Sequence, residues 1–97
     1  MFARVSTFQL APQRVGEAIT MFQEQAIPGL KAMKGFVAVN YLVDRKSGNG
    51  KVILFMDTEA NLKASAEANN QLRTQITQAV GAKVISVEEY ELAAQSW

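Results

Sequence analysis

The chain has 97 residues, of which 48% are hydrophobic and 20% charged, with a formal net charge of +1. That balance belongs to a compact soluble protein rather than a disordered one, and charge this small and interspersed excludes strong attraction to nucleic acid or an anionic membrane. Cysteine and histidine are both absent, which removes disulfides, thiolate catalysis and thiolate metal sites. The N-terminus shows no charged lead before a long apolar run, and no segment approaches the roughly 20 apolar residues of a membrane span. The expectation is a single domain over 1–97 in the cytoplasm, small enough that a partner would cover surface it cannot bury alone.

Residues 2–10 combine β-branched and aromatic side chains and stop at Ala11-Pro12, which predicts a first strand. From Pro12, apolar residues recur at Val15, Ala18, Ile19, Phe22, Ala26, Leu30 and Met33, one face of a helix. Pro28 and Gly29 interrupt that pattern and predict a kink or short break near Ile27. Gly35 stands where a helix C-terminus needs it. Residues 36–44 and 51–56 read as two further strands, joined into an antiparallel hairpin by the turn-rich stretch Arg45-Lys46-Ser47-Gly48-Asn49-Gly50. Asp57 or Thr58 then caps a second helical region with apolar positions at Leu62, Ala66, Leu72, Ile76 and Val80. Gly81 ends it, and residues 83–92 give the last strand.

The order β-α-β-β-α-β predicts an α+β ferredoxin-like fold, with helices packed on one face of an antiparallel sheet. One helical layer hides one face. Yet the second strand carries Val37, Val39, Tyr41 and Val43 on one side and Phe36, Ala38 and Leu42 on the other, and the third strand is apolar on both sides as well. Successive strand residues point to opposite sides, so a second copy of the sheet is the economical cover, and the expected partner is the chain itself in a homodimer.

Several segments carry a resemblance to a known family: Ala3-Arg4-Val5-Ser6-Thr7; Ile27-Pro28-Gly29-Leu30 with Gly35-Phe36 a helical turn beyond; Asp44-Arg45-Lys46-Ser47-Gly48; Asp57-Thr58-Glu59-Ala60-Asn61-Leu62; and Val87-Glu88-Glu89-Tyr90-Glu91. In order and spacing, across nearly the whole chain, they resemble the antibiotic-biosynthesis-monooxygenase family. The resemblance implies a homodimer whose sheets form a dimeric α/β barrel, with a pocket between helices and sheet in each subunit. Members of that family include cofactor-independent oxygenases acting on polycyclic phenols, haem-degrading enzymes and many proteins of unassigned activity. The haem-degrading branch uses an Asn on the first strand, a Trp at the end of the third and a His on the second helical region. Here Ala3 and Met56 stand at the first two positions, and histidine is missing altogether. The expectation is no haem degradation, no metal and no cofactor.

Among candidate ligand-binding residues, Asn69 and Arg73 fall within the stripe of Leu62, Ala66, Ile76 and Val80 on a helical wheel. An unpaired polar group on such a face costs about 1–3 kcal/mol, and a ligand is one way to pair it. The other reading is that Asn69-Asn70 breaks the helix and both side chains reach solvent. Asn40 interrupts an apolar strand and would orient a ligand if its face lined a pocket; such a residue is more often satisfied at a dimer seam or strand edge. Tyr41 offers a phenolic donor, while Phe22 and Met56 are either pocket walls or core. Arg4, a charge on a central strand, is expected to pair with Glu88 or Glu89 or across the dimer.

No nucleophile-base set, paired catalytic carboxylates or phosphate-binding glycine loop can be assembled, and Lys51-Val52-Ile53-Leu54-Phe55-Met56 lacks the stacking aromatics of an RNA-recognition strand. Two readings of function stay open. One is a cofactor-independent monooxygenase acting on an aromatic or phenolic substrate. The other is a non-catalytic dimeric protein for ligand binding or assembly.

Overall fold

The computed structural model describes residues 1–96. Strands β1 (Phe2–Gln9), β2 (Phe36–Val43), β3 (Asn49–Met56) and β4 (Lys83–Glu91) form one antiparallel sheet in the order β2-β3-β1-β4. Helices α1 (Val15–Met21), α2 (Ile27–Lys31), α3 (Glu59–Ala64) and α4 (Ala66–Val80) complete the β-α-β-β-α-β order. The architecture is the expected α+β ferredoxin-like one, with β1 and β3 central.

Both helical regions change pitch inside their length. Between α1 and α2 the chain makes a π turn over Phe22–Ala26, and the Ile27 amide donates to Phe22 O, five residues back. Two features of the sequence favour this wide turn. Pro28 has no N–H to give to the preceding turn and its ring would crowd the carbonyl four residues earlier. The buried residues Ala18, Phe22, Ala26 and Leu30 are also spaced by four, and in a regular α-helix each step of four drifts by about 40°. A π turn takes up that drift and keeps all four on the sheet. The interruption expected near Ile27 is therefore a widening one turn earlier, and helix resumes at Ile27.

The second region begins at Thr58, whose Oγ1 accepts from the Asn61 amide at 3.0 Å. It breaks at Ser65 and not at Asn69-Asn70, which lie inside α4. The Ser65 hydroxyl donates to Leu62 O at 2.7 Å, a local bond that competes with the helical ladder. The break shifts the phase, so Ser65 is buried and Ala66, expected inside, is exposed. The inward face of α4 becomes Asn69, Leu72, Arg73, Ile76, Thr77 and Val80. Gly35, at φ +87°, ends the first helical region; its carbonyl accepts from the Asp57 amide at 2.9 Å, and an added Cβ would collide with the Asp57 carboxylate and Asn61.

The core lies between helices and sheet. One cluster joins Phe22, Ala26 and Leu30 to Leu54, Met56 and Leu62; a second joins Leu10, Val15 and Ala18 to Val80. Each large side chain fully buried there contributes about 1.5–3 kcal/mol. In β2 the register shifts between Phe36 and Ala38, which corrects the expected faces. Val37 falls at the irregularity and is exposed, and Phe36 joins Val39 and Tyr41 against the helices. The opposite face of the sheet holds Val5, Ile53, Phe55, Ala38 and Leu42, and among the described residues nothing covers it. No helix among the described residues is long and apolar enough to cross a membrane.

Candidate functional site

Between the two core clusters the helices and sheet leave a cavity of about 60 Å³. β1 supplies Ser6 and Phe8, the π turn Phe22, β2 Tyr41 and β3 Val52, while α4 closes the site with Asn69, Leu72, Arg73 and Ile76. The walls are mostly apolar, and the polar groups gather where α4 crosses β1. Tyr41 packs edge-on against Phe22, ring centroids 5.4 Å apart at 62°. Room for its ring comes from Gly50 on β3, where a Cβ would stand 2.9 Å from Tyr41 Cε1. Burial pushes the Tyr41 hydroxyl pKa up, partly offset by the Arg45 charge.

The polar end is a continuous network. Arg4, only 3% exposed, donates from Nε and Nη2 to Glu89 Oε2 at 3.1 and 2.8 Å, from Nη1 to Ser65 Oγ at 3.0 Å and Asn69 Oδ1 at 3.1 Å, and from Nη2 to Leu62 O at 2.7 Å. Of the partners expected for Arg4, the structure selects Glu89. Arg73 donates from Nε to Ser6 Oγ at 3.3 Å, from Nη1 to Asn70 Oδ1 at 3.0 Å and from Nη2 to Asn69 Oδ1 at 3.0 Å. Among the described residues, no buried side-chain polar atom is left without a partner. The Arg4 hydrogen bond holds the Glu89 carboxyl below its ordinary pKa, against partial desolvation, with help from the Arg4 and Lys63 charges.

Of the residues singled out from sequence, the cavity brings together Phe22, Tyr41, Asn69 and Arg73. Met56 is elsewhere: it is fully buried in the first core cluster and does not line this cavity. Asn40 is exposed and pairs with Ile53 on the opposite face of the sheet, so it does not reach the site. Sequence reasoning missed Ser6, which is buried on a central strand with Arg4 and Phe8 at alternate positions. That alternation is readable as one face, but its polar members find meaning only once α4 is placed above them. A second hollow, a broad open groove of about 550 Å³, lies on the uncovered side near Leu42, Lys51 and Ile85.

No family model matches the chain. Its fold is that of antibiotic-biosynthesis-monooxygenase structures, which align with TM-scores of 0.68–0.78. HapK from Hahella chejuensis aligns at TM-score 0.78 with 11% identity, over 100% of this chain and 97% of that one. SnoaB from Streptomyces nogalater, a cofactor-independent oxygenase solved as a mutant, aligns at 0.70 with 12% identity over 97% and 94%. The heme-degrader MhuD from Mycobacterium tuberculosis, solved with two hemes in its active site, aligns at 0.73 with 14% identity over 100% of both chains. In sequence, the uncharacterized protein Rv2557 of Mycobacterium tuberculosis is 30% identical over 94 residues, covering 97% of this chain and 42% of that protein. The chain thus spans about two fifths of the length of the curated relatives it matches.

Proposed function

We propose that the chain forms a homodimeric α/β barrel whose helix–sheet cavity binds a small aromatic or phenolic compound, and that it acts on this compound as a cofactor-independent monooxygenase. The observation that carries the reading is the cavity itself, with apolar walls and Asn69, Arg73 and Ser6 gathered at one end. An apolar enclosure with a few convergent polar groups is the usual form of a small-molecule site. Likeness in fold to SnoaB supports the oxygenase part.

In such a reaction the substrate supplies the electrons. An anthrone-type methylene and O₂ give a quinone carbonyl and water, two hydrogens leaving carbon as one oxygen atom enters. The protein's share is to hold the ring, favour its ionised form and exclude water. Ring contact falls to Phe22, Tyr41 and Leu72, and orientation to Asn69 and Arg73. Among the described residues, no carboxylate or imidazole lines the cavity, so the substrate gives its proton to solvent before it is enclosed. That same observation favours a second reading, a binding protein without turnover.

Haem does not fit this site. The chain has neither histidine nor cysteine to ligate iron. Of the two tyrosines, Tyr90 is 51% exposed and opposite Ala3, away from the cavity, and burial disfavours the tyrosinate of Tyr41.

Oxygen uptake with 1,8-dihydroxyanthrone, measured against spontaneous autoxidation, separates the readings. The monooxygenase reading expects catalysed uptake with one quinone formed per O₂ after chelator treatment. Saturable binding with no uptake above background would establish the second reading instead.

A further inference from the structure

Arg4 and Arg73 enter the same network from opposite sides and differ in what balances their charge. Arg4 has the Glu89 carboxylate at 2.8 Å. Arg73 donates only to neutral oxygens, those of Ser6, Asn70 and Asn69, and among the described residues it makes no ion pair. A guanidinium carries five N–H donors; these three bonds occupy three and leave two for another acceptor. Desolvation and the nearby charge of Arg4 both act against the protonated form of Arg73. The side chain lines the cavity, and its bond to exposed Asn70 places the guanidinium at the solvent end.

A partly buried cation without a counter-charge is electrostatically incomplete, and the planar guanidinium fork is the side chain best matched to an oxyanion. We infer that the ligand of this cavity carries one anionic oxygen on an apolar ring, the anion docking on the two free donors of Arg73 at the mouth and the ring passing inward toward Phe22 and Tyr41. The inference rests on the cavity being a ligand site and adds the charge of what it takes. Size limits the ring as well: about 60 Å³ is below the roughly 150 Å³ that accepts benzene in a dry protein cavity. A single ring therefore enters only as the lining gives way, and the three fused rings of an anthrone need a wider opening still. On the α2 side the wall is Leu72, packed so closely on Gly29 that an added Cβ would stand 3.0 Å from Leu72 Cδ1.

The test compares benzoate with benzyl alcohol, alike in shape and different in charge, by NMR titration of the full chain near neutral pH and low salt. Benzoate should move the Arg73 Nε–Hε resonance and saturate at a concentration at least about tenfold lower than benzyl alcohol, the discrimination expected of one charge-assisted contact. Arg73→Gln should abolish the preference while benzyl alcohol still binds, and Arg73→Lys should retain part of it. A second arm uses 4-nitrophenol, whose yellow anion reports ionisation directly. Preference for benzoate alone identifies a carboxylate, and enrichment of the bound nitrophenolate alone identifies an ionised phenol. Equal affinity for benzoate and benzyl alcohol with no enrichment of the nitrophenolate overturns the inference, as does a preference unchanged in Arg73→Gln. Catalysed oxygen uptake with 1,8-dihydroxyanthrone alongside either result would leave the oxygenase reading standing, so the two failures are distinguishable.

Discussion

Arg4 Nη1 and Arg73 Nη2 both donate to Asn69 Oδ1, at 3.1 and 3.0 Å, so a single amide oxygen lies between two guanidinium groups. Asn69→Ala removes the shared acceptor and should destabilise the fold by about 1–3 kcal/mol. Asn69→Asp keeps the acceptor and adds the charge that Arg73 lacks. It should recover stability relative to Asn69→Ala in urea denaturation and lose the preference for benzoate. An Asn69→Asp protein that still prefers benzoate as the wild type does would separate Arg73 from anion binding.

Glu89 ties acid stability to the same network. Its folded pKa is below its ordinary value, chiefly through the Arg4 hydrogen bond. Its contribution is therefore complete above the ordinary glutamate pKa of about 4.3 and is lost as pH falls through the lower folded value. Glu89→Gln leaves buried Arg4 without its carboxylate. With the Glu89 side chain 35% exposed and partly screened, the cost at neutral pH should be on the order of 2 kcal/mol, below that of a fully buried pair. Urea midpoints measured from pH 7 downward should fall less steeply in Glu89→Gln than in wild type. Asp57, held down mainly by its Asn61 hydrogen bond, leaves a residual slope in both. Parallel curves would contradict the assignment.

Gly35→Ala tests the junction between the first helical region and β2. The residue sits at φ +87° and its Cβ would press on Asp57 and Asn61, which are hydrogen-bonded to each other at 2.8 Å. A loss of about 1–3 kcal/mol is expected from backbone strain and that collision together. It would appear as a lower urea midpoint with an unchanged slope.

The uncovered sheet face carries the dimer proposal. Leu42 and Ile85 are each 52% exposed and Tyr90 51%, beside Val5, Ile53 and Phe55 at alternating positions. A contiguous apolar face of this kind is characteristic of an interaction surface. Light scattering should give about twice the 10.6 kDa chain mass. Leu42→Glu, which alters a side chain already at the surface of one copy, should give the monomer without changing its circular dichroism. A wild-type monomer at micromolar concentration would remove the proposal.

Periodicity in the sequence carries the strands, their pairing and the two helical regions, because alternation and helical spacing report directly on burial. What it misses depends on single residues acting through neighbours distant in sequence. The π turn is anticipated in the four-residue spacing of Ala18, Phe22, Ala26 and Leu30, but the same spacing also reads as an ordinary helical face. Ser65 breaks the second helical region by folding its hydroxyl back on Leu62 O; a serine has nothing in its local pattern that sets it apart from the Asn-Asn pair four residues on. Met56 and Asn40 stand out in the sequence by analogy and by polarity respectively. The position of Asn40 follows instead from the face of the sheet it occupies, which requires the register of β2 against β3, whereas Met56 shares its face with Val52 and ends β3 inside the first core cluster.

Entry of small aromatic compounds between the helices and the sheet underlies both the proposed activity and the preference for an anion. Chemical-shift mapping with 4-methylphenol, uncharged near neutral pH and so independent of the anion inference, tests it directly. The largest shifts should fall on Phe22, Tyr41, Leu72 and Ile76, which line the cavity. Shifts concentrated on Leu42, Lys51 and Ile85 in the groove of the opposite face, or none at saturation of the compound in water, would contradict it.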